Sequence, residues 1–287
     1  MTLSKEIEKA KTLIEALPYI KRFHGQILVI KYGGSLMEDE NFKRRFATDV
    51  VLLKYVGINP IIVHGGGKEI SKWMNKSGKE AKFIDGLRYT DAETMEITEM
   101  VLSGKINSDV VSLINQSGGK AIGLSGKDSK LLLSEQIKSK NGEDLGFVGE
   151  IKKVYSPLLK TLTHEGYIPV VSCIGVSEEG MSLNLNADHA ASAVAVSMNA
   201  LKLIYMTDVE GILRNGELIS SLTLSEAETL LSHPDIKGGM LPKLDCSIDA
   251  VKGGVQQVHI LNGSREHAIL LEIFTDQGVG TMVTRDR

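Results

Sequence analysis

The sequence predicts an α/β fold on a mainly parallel sheet, and three observations predict it. Short runs of apolar, β-branched residues recur along the chain; they show almost no polar/apolar alternation; and stretches of helical periodicity separate them. Strands buried on both faces have that unalternating pattern. Helical segments of about 10 to 15 residues between them suit right-handed crossovers joining parallel neighbours.

The elements follow in order. Leu3, Ile7, Ala10, Ile14 and Leu17 recur at helical spacing, which predicts a helix over residues 3–23, standing apart from the main fold and interrupted at Pro18. Its apolar stripe must be covered by something. Strands are predicted over residues 27–32, 61–64, 121–125, 170–174, 203–207 and 258–261. Thr90-x-x-Glu93 and Thr223-x-x-Glu226 read as capping boxes, and Asn186 opens an Ala-rich helix that runs to Met198. Residues 131–137 and 147–152, joined by a polar segment, read as a hairpin beside the sheet.

With 287 residues, 42% of them hydrophobic, the chain can bury a substantial core near the size at which single cores divide, so one domain with two lobes is expected. Lys and Arg total 33 against 36 Asp and Glu, which excludes a broad basic field for nucleic acid or an anionic membrane. Any bound anion must be gripped locally. Cys173 and Cys246 lie far apart with no C-x-x-C, so neither disulfides nor structural zinc are expected. The apolar runs are of strand length and no apolar leader is evident, which points to a cytoplasmic, reduced protein.

In open α/β sheets ligands collect where strands end and helices begin. The first predicted strand runs into Lys31-Tyr32-Gly33-Gly34, and the second ends in His64-Gly65-Gly66-Gly67-Lys68 before a helix. Either loop alone is equally a tight turn beside a solvated lysine; two in one sheet favour a polyanionic ligand. The chain has no G-x-x-x-x-G-K-[ST] and no G-x-G-x-x-G after a strand, and Gly123-Leu124-Ser125-Gly126-Lys127-Asp128 lacks the spacing and the final hydroxyl. A P-loop is thereby excluded. Farther on, Asn184-Leu185-Asn186-Ala187-Asp188 stands at a helix mouth, Thr207-Asp208-Val209-Glu210-Gly211 ends another strand, and Lys237-Gly238-Gly239-Met240 opens a helix carrying Lys243.

Together with Gly86-Leu87-Arg88 and Gly239-Met240-Leu241-Pro242-Lys243, these motifs, in this order, resemble those of the N-acetylglutamate kinases, a branch of the amino acid kinase family. The resemblance extends from Gly25 to the C-terminus. It implies a three-layer αβα sandwich of two lobes: an acetylglutamate-binding lobe over residues 25–198, an ATP-binding lobe over 199–287, and an oligomerisation helix over 1–24. It implies transfer of the γ-phosphoryl group of MgATP to N-acetyl-L-glutamate, with no metal ligand supplied by the protein. Lys31 and Lys243 would flank the transferring group, Asp188 would orient both ammonium groups, and Gly34 and Gly66 would donate backbone N–H groups. Gly66, Gly67, Arg88 and Asn184 would hold the acceptor. Thr207, Asp208, Val209, Gly211, Leu213, Lys237, Gly239 and Met240, with Lys31 and Lys243, would line the ATP side.

Independently of that resemblance, a carboxylate acceptor is already nucleophilic at neutral pH and needs no general base. The task is to align two anions and neutralise charge on the moving group, which lysines and N–H dipoles do. Rival acceptors, namely aspartate, glutamate, carbamate or a nucleotide monophosphate, could use the same loops, and a silent arginine-sensing module is the alternative outside catalysis.

Family members that form hexamers, as trimers of dimers, and are inhibited by arginine carry a similar N-terminal helix and a C-terminal pattern like His259-x-x-x-Gly263, His267, Leu270-Leu271-Glu272 and Gly278-x-Gly280-Thr281-Met282. The resemblance therefore implies L-arginine as effector, with Lys202, His267, Glu272 and Gly280 among its contacts, and names a nitrogen-signalling PII protein as a candidate partner. The alternative is a helix that docks on its own domain and a His267 and Glu272 that are ordinary surface residues.

Overall fold

The computed structural model describes residues 3–276 and 278–286. Its central sheet has eight strands, in the spatial order Ser221–Thr223, Gly280–Thr284, Gln257–Asn262, Lys202–Thr207, Ile27–Tyr32, Asn59–His64, Ile168–Ser172 and Ala121–Ser125. Neighbours run parallel except Gln257–Asn262 against Gly280–Thr284.

Burial on both faces explains the missing alternation. Along Ile27–Tyr32, Val29 packs into a core covered by the Ala187–Ser197 and Met240–Lys252 helices, whereas Leu28, Ile30 and Tyr32 enter a second core that includes Phe46 and Val50 of the Glu40–Tyr55 helix. The result is a sheet between two helical layers. Because successive side chains point to opposite faces, Lys31 shares the side of Val29 and faces the Ala187–Ser197 helix, while His64 shares the side of Ile62 and faces the other layer. Lys31 pairs with Val63 and Tyr205, and Tyr32 with His64, so both glycine loops leave the sheet at one level.

The predicted hairpin is present as Leu132–Lys138 and Asp144–Val154, and it closes with Ile174–Val176 and Ser182–Leu185 into a separate four-stranded barrel. The strand predicted over residues 170–174 accordingly divides. Ile168–Ser172 stays in the main sheet and, after Cys173, Ile174–Val176 joins the barrel.

Two local expectations are corrected. The Leu3–Phe23 helix continues through Pro18; most of its length is exposed, so water can satisfy the carbonyl that proline leaves unpaired. Leu3, Leu13 and Ile14 remain largely exposed, while Phe23 is buried and the Tyr19 hydroxyl donates to Asp276 at 2.7 Å. Thr90 does not cap the Ala92–Glu99 helix. Asp91 does, accepting from the Thr94 N–H at 2.9 Å, while Thr90 turns inward. Thr223 forms its capping box with Glu226 as expected. After Ala92–Glu99 the chain winds through a seven-residue π-helical segment, Met100–Ile106, before resuming as Asn107–Gln116.

Asn186 caps the Ala187–Ser197 helix, accepting from the N–H groups of Asp188 at 2.8 Å and His189 at 3.3 Å. Asn186→Ala should therefore lower unfolding free energy by about 1 kcal/mol, and Asn186→Ser should restore most of it, as read from urea denaturation with unchanged m.

Candidate active site

Cap and topology together place one carboxylate between two ammonium groups. Asp188 sits in the first turn after Asn186, at the end of the helix facing Lys31, and Lys243 arrives from the neighbouring Met240–Lys252 helix. Lys243 Nζ donates to Asp188 Oδ2 at 2.7 Å, and Lys31 Nζ lies 2.9 Å from Oδ1. Lys31 and Oδ1 are thus a close ion pair, though not aligned as a hydrogen bond. The three side chains are only 8–15% exposed. Burial pushes the Asp188 carboxyl up, but the two lysines outweigh it and hold the group below the usual carboxylate range. Behind it, the buried Tyr205 hydroxyl donates to the Asp188 carbonyl at 3.1 Å and fixes the turn.

The glycine loops border the same cleft. Gly34 has φ +79°, a conformation that disfavours a side chain, and it opens the Gly34–Glu38 turn. Gly66 is required for space: a Cβ there would lie 2.2 Å from Ile106 Cδ1 and 2.7 Å from Leu102 Cδ2, both on the π-helical segment. It immediately precedes the Gly67–Lys76 helix, whose first N–H groups have no partner within the helix.

Across the cleft, Phe83–Ile84 and Leu87–Arg88 form a small antiparallel flap. Arg88 is buried; its Nη2 donates to the Gly67 carbonyl at 2.7 Å and Ser71 Oγ at 2.8 Å, and Nη1 lies 3.2 Å from Met74 Sδ. The guanidinium thus ties the flap to the Gly67–Lys76 helix and keeps further donors. Asn184 Nδ2 donates to Thr90 Oγ1 at 3.1 Å, and that hydroxyl donates to the Arg88 carbonyl at 2.7 Å. Lys31, Gly34, Gly66, Gly67, Arg88, Asn184 and Asp188 therefore line one cleft.

Lys243 reaches this cleft only through Asp188, and none of Thr207, Asp208, Val209, Gly211, Leu213, Lys237, Gly239 and Met240 lines it. Thr207 closes the strand beside Ile27–Tyr32, Val209 and Leu213 are exposed, and Lys237 to Met240 lead into the helix that carries Lys243. Glu210 is held by Asn262 Nδ2 at 2.8 Å and by Arg265.

At the C-terminal end, Lys202 and Glu272 meet in a buried cluster 3.6 Å apart. His267 is not in contact with it: its Nδ1 lies 2.6 Å from Asp49. Gly280 is packed against the Ile260 carbonyl, and Gly278 is the glycine beside Glu272. His259 completes the cluster. Lys202 can only donate, so at 3.1 Å its ammonium donates a hydrogen bond to His259 Nε2, and Nδ1–H donates to Glu272 at 2.8 Å. Burial keeps His259 neutral by drawing it down, and His259 and Lys202 overcome burial to hold Glu272 below the usual range. Lys202 also lies 5.5 Å from the ring of Phe23 in the N-terminal helix.

Residues 26–262 match the amino acid kinase family model. The chain belongs to the amino acid kinase family. It is 55% identical over 276 residues to an acetylglutamate kinase of Kosmotoga olearia, covering 96% of this chain and 97% of that one. Among solved structures, N-acetylglutamate synthase of Neisseria gonorrhoeae complexed with coenzyme A and N-acetyl-glutamate is 28% identical with TM-score 0.87, over 97% of this chain. This chain spans 64% of that synthase. The same synthase complexed with coenzyme A and L-arginine is 27% identical with TM-score 0.83, over 96% of this chain and 65% of that one. Among the described residues no helix of this amino acid kinase is long and apolar enough to cross a membrane, and no three His, Cys, Asp or Glu side chains converge as a metal site.

Four residues of this kinase, Thr90, His259, His64 and Asn107, have structural partners that the sequence motifs do not reveal. Thr90 bridges Arg88 and Asn184, and His259 joins Lys202 to Glu272. His64 is fully buried at the end of its strand, with Nε2 3.0 Å from Asn107 Nδ2 and Nδ1 3.1 Å from the Gly65 carbonyl. His64 stood in view within the glycine motif, but its partner lies 43 positions away on a helix with no motif of its own.

Burial draws the His64 imidazole down from 6.5 to about 4. The unfolded chain takes up a proton below about pH 6.5 while the folded one does not, so this contribution to stability is complete above that pH and shrinks as pH falls toward 4. Between about pH 6.5 and about pH 5 it should cost about 2 kcal/mol. Urea unfolding across that range should show the decline, and His64→Gln should flatten it by that amount.

Proposed function

We propose that the chain transfers the γ-phosphoryl group of ATP to the side-chain carboxylate of N-acetyl-L-glutamate, giving N-acetyl-L-glutamyl 5-phosphate in arginine biosynthesis. The observation that carries this reading is the buried Lys31–Asp188–Lys243 array, whose Lys31 and Asp188 line one cleft with Arg88 and Asn184. The acetylglutamate kinase relative, alike over nearly the whole chain, supports it.

In this reading Arg88 pairs with the α-carboxylate of the acceptor and Asn184 meets its polar substituents. The side-chain carboxylate is thereby directed toward Lys31 and the Gly66 N–H. No base need remove a proton, because the acceptor is already anionic. The barrier is the approach of two anions, and it is lowered by cations and dipoles already in place around the transferring group. Lys31 and Lys243 supply the charge, Asp188 holds them at fixed separation, and Gly34 and Gly66 supply N–H donors. Thr207 to Leu213 and Lys237 to Met240 receive the nucleotide. Asp188 is engaged by both lysines, so Mg²⁺ would be carried on the nucleotide's phosphate oxygens, where it neutralises charge.

Arginine inhibition belongs to the same proposal. The buried carboxylate of Glu272 would take a guanidinium, with Lys202 and His259 beside it, Gly278 providing close approach and the N-terminal helix closing the site through Phe23. The exposed stripe of Leu3, Ile7, Leu13, Ile14 and Leu17 would pair between copies in a hexamer, linking assembly to the effector site.

Coupled ADP release measured across acetylglutamate, glutamate, aspartate and carbamate should show strong preference for acetylglutamate; a faster rate with another acceptor replaces the assignment. Lys31→Ala and Lys243→Ala should each lower kcat by on the order of 10²-fold or more with the fold intact. Near-normal turnover by folded Lys31→Ala would overturn the mechanism. Separately, Glu272→Gln should weaken L-arginine inhibition by on the order of 10-fold or more while leaving uninhibited kcat unchanged, as read from inhibition curves. Removing residues 1–23 should reduce the sedimenting oligomer, and an unchanged oligomer denies the helix its assembly role.

A further inference from the structure

The direction of the Gly66 N–H is set by a chain of bonds that begins in the helix layer on the far side of the sheet. Asn107, the first residue after the π-helical segment, is buried, and its Nδ2 lies 2.9 Å from the Val170 carbonyl and 3.0 Å from His64 Nε2. A carbonyl can only accept, so the Asn107 amide must present its NH₂ group on this side. His64 Nε2 therefore accepts, the ring proton of the neutral imidazole resides on Nδ1, and Nδ1–H donates to the Gly65 carbonyl at 3.1 Å. The Gly65 N–H is tied to the Tyr32 carbonyl at 3.1 Å, so both ends of that residue are anchored.

In a trans peptide the carbonyl of one residue and the N–H of the next point in opposite directions. With the Gly65 carbonyl drawn to His64, in the layer away from Lys31, the Gly66 N–H is turned toward the Lys31–Asp188 side and the cleft. A side chain at position 66 would meet Leu102 and Ile106, so the glycine loop packs closely against the π-helical segment. The π winding serves both contacts, bringing Leu102 and Ile106 onto the glycine loop and Asn107 onto His64.

We propose that His64 and Asn107 are positioning residues that fix, through one imidazole tautomer, the direction of the Gly66 N–H toward the transferring phosphoryl group. The proposal rests on the kinase reading above for the identity of that group. The tautomer stands on the geometry alone.

The test combines ¹⁵N NMR of the histidine-labelled full-length protein with steady-state kinetics. In the wild type His64 should carry its proton on Nδ1 and remain neutral across the neutral pH range; a proton on Nε2 overturns the relay. Asn107→Asp replaces the donor by an acceptor, so Nε2 should become protonated and can no longer accept from residue 107. It should lower kcat by on the order of 10-fold or more, with KM for ATP and acetylglutamate nearly unchanged, because the lost donor acts in the transition state. His64→Asn keeps an N–H donor near the Nδ1 position, whereas His64→Gln presents its amide at the Nε2 position and has no donor for Gly65. His64→Asn should retain more kcat than His64→Gln even though it fills the core less well. Folded variants with equal kcat, or the reverse order, overturn the positioning role, since a purely structural histidine would favour the bulkier replacement. A wild-type protein inactive toward acetylglutamate would fail the kinase reading instead, and the ring-proton assignment would still decide the relay.

Discussion

Two ammonium groups cannot be held together in a water-poor cleft without a carboxylate between them, and Asp188 is that carboxylate. Bringing a charge into a protein interior costs several kcal/mol after relaxation, and the cost is offset only when opposite charges and hydrogen bonds surround it. Asp188 meets the condition with a lysine at each oxygen. The arrangement leaves a net positive site, since two cations share one anion. In the proposed reading a nucleotide phosphate entering it would supply the missing negative charge, and the pocket would be matched to its ligand before the ligand arrives.

The architecture around Asp188 follows from that need. Lys31 reaches it because residue parity along Ile27–Tyr32 sends its side chain to the face covered by the Ala187–Ser197 helix. Lys243 reaches it because the helix carrying it packs beside that same helix, where Ser192 Oγ donates to the Cys246 carbonyl at 3.1 Å. The Asn186 cap fixes where the helix starts and hence where Asp188 points. Shifting the first strand by one residue would send Lys31 into the opposite core, which is why register is as consequential here as the identity of the lysine.

The α/β class and most strand positions were legible because burial on both faces leaves unbroken apolar runs, and glycines at strand ends mark where backbone must approach a ligand. Legibility failed where a choice depends on long-range partners. Thr90 has a capping residue's sequence context, but its hydroxyl is needed between Arg88 and Asn184, and Asp91 takes over the cap. Residues 170–174 read as one strand, yet Cys173 is where the chain leaves one sheet for another, a topological event without a local signature. His267 and His259 are equally visible in the sequence; only the fold sends one to Asp49 and the other between Lys202 and Glu272. The π-helical winding of Met100–Ile106 has no Pro to announce it. The segment packs against Gly66 and leads into Asn107, whose partner His64 is distant in sequence.

A buried histidine beside a glycine loop at the cleft invites assignment as an acid or base, and the physics argues otherwise. Both ring nitrogens of His64 are engaged, burial disfavours its charged form, and a carboxylate acceptor has no proton to surrender. Cys173 tells the same story: it lines the cleft, yet burial pushes its thiol up to about 12, and it donates to the His64 carbonyl at 3.1 Å. It is therefore held as a thiol and is no nucleophile at neutral pH. What these two groups provide is constancy. Neither changes protonation near neutral pH, so the glycine loop they support keeps one hydrogen-bonding pattern beside the charged array of Lys31, Lys243 and Asp188.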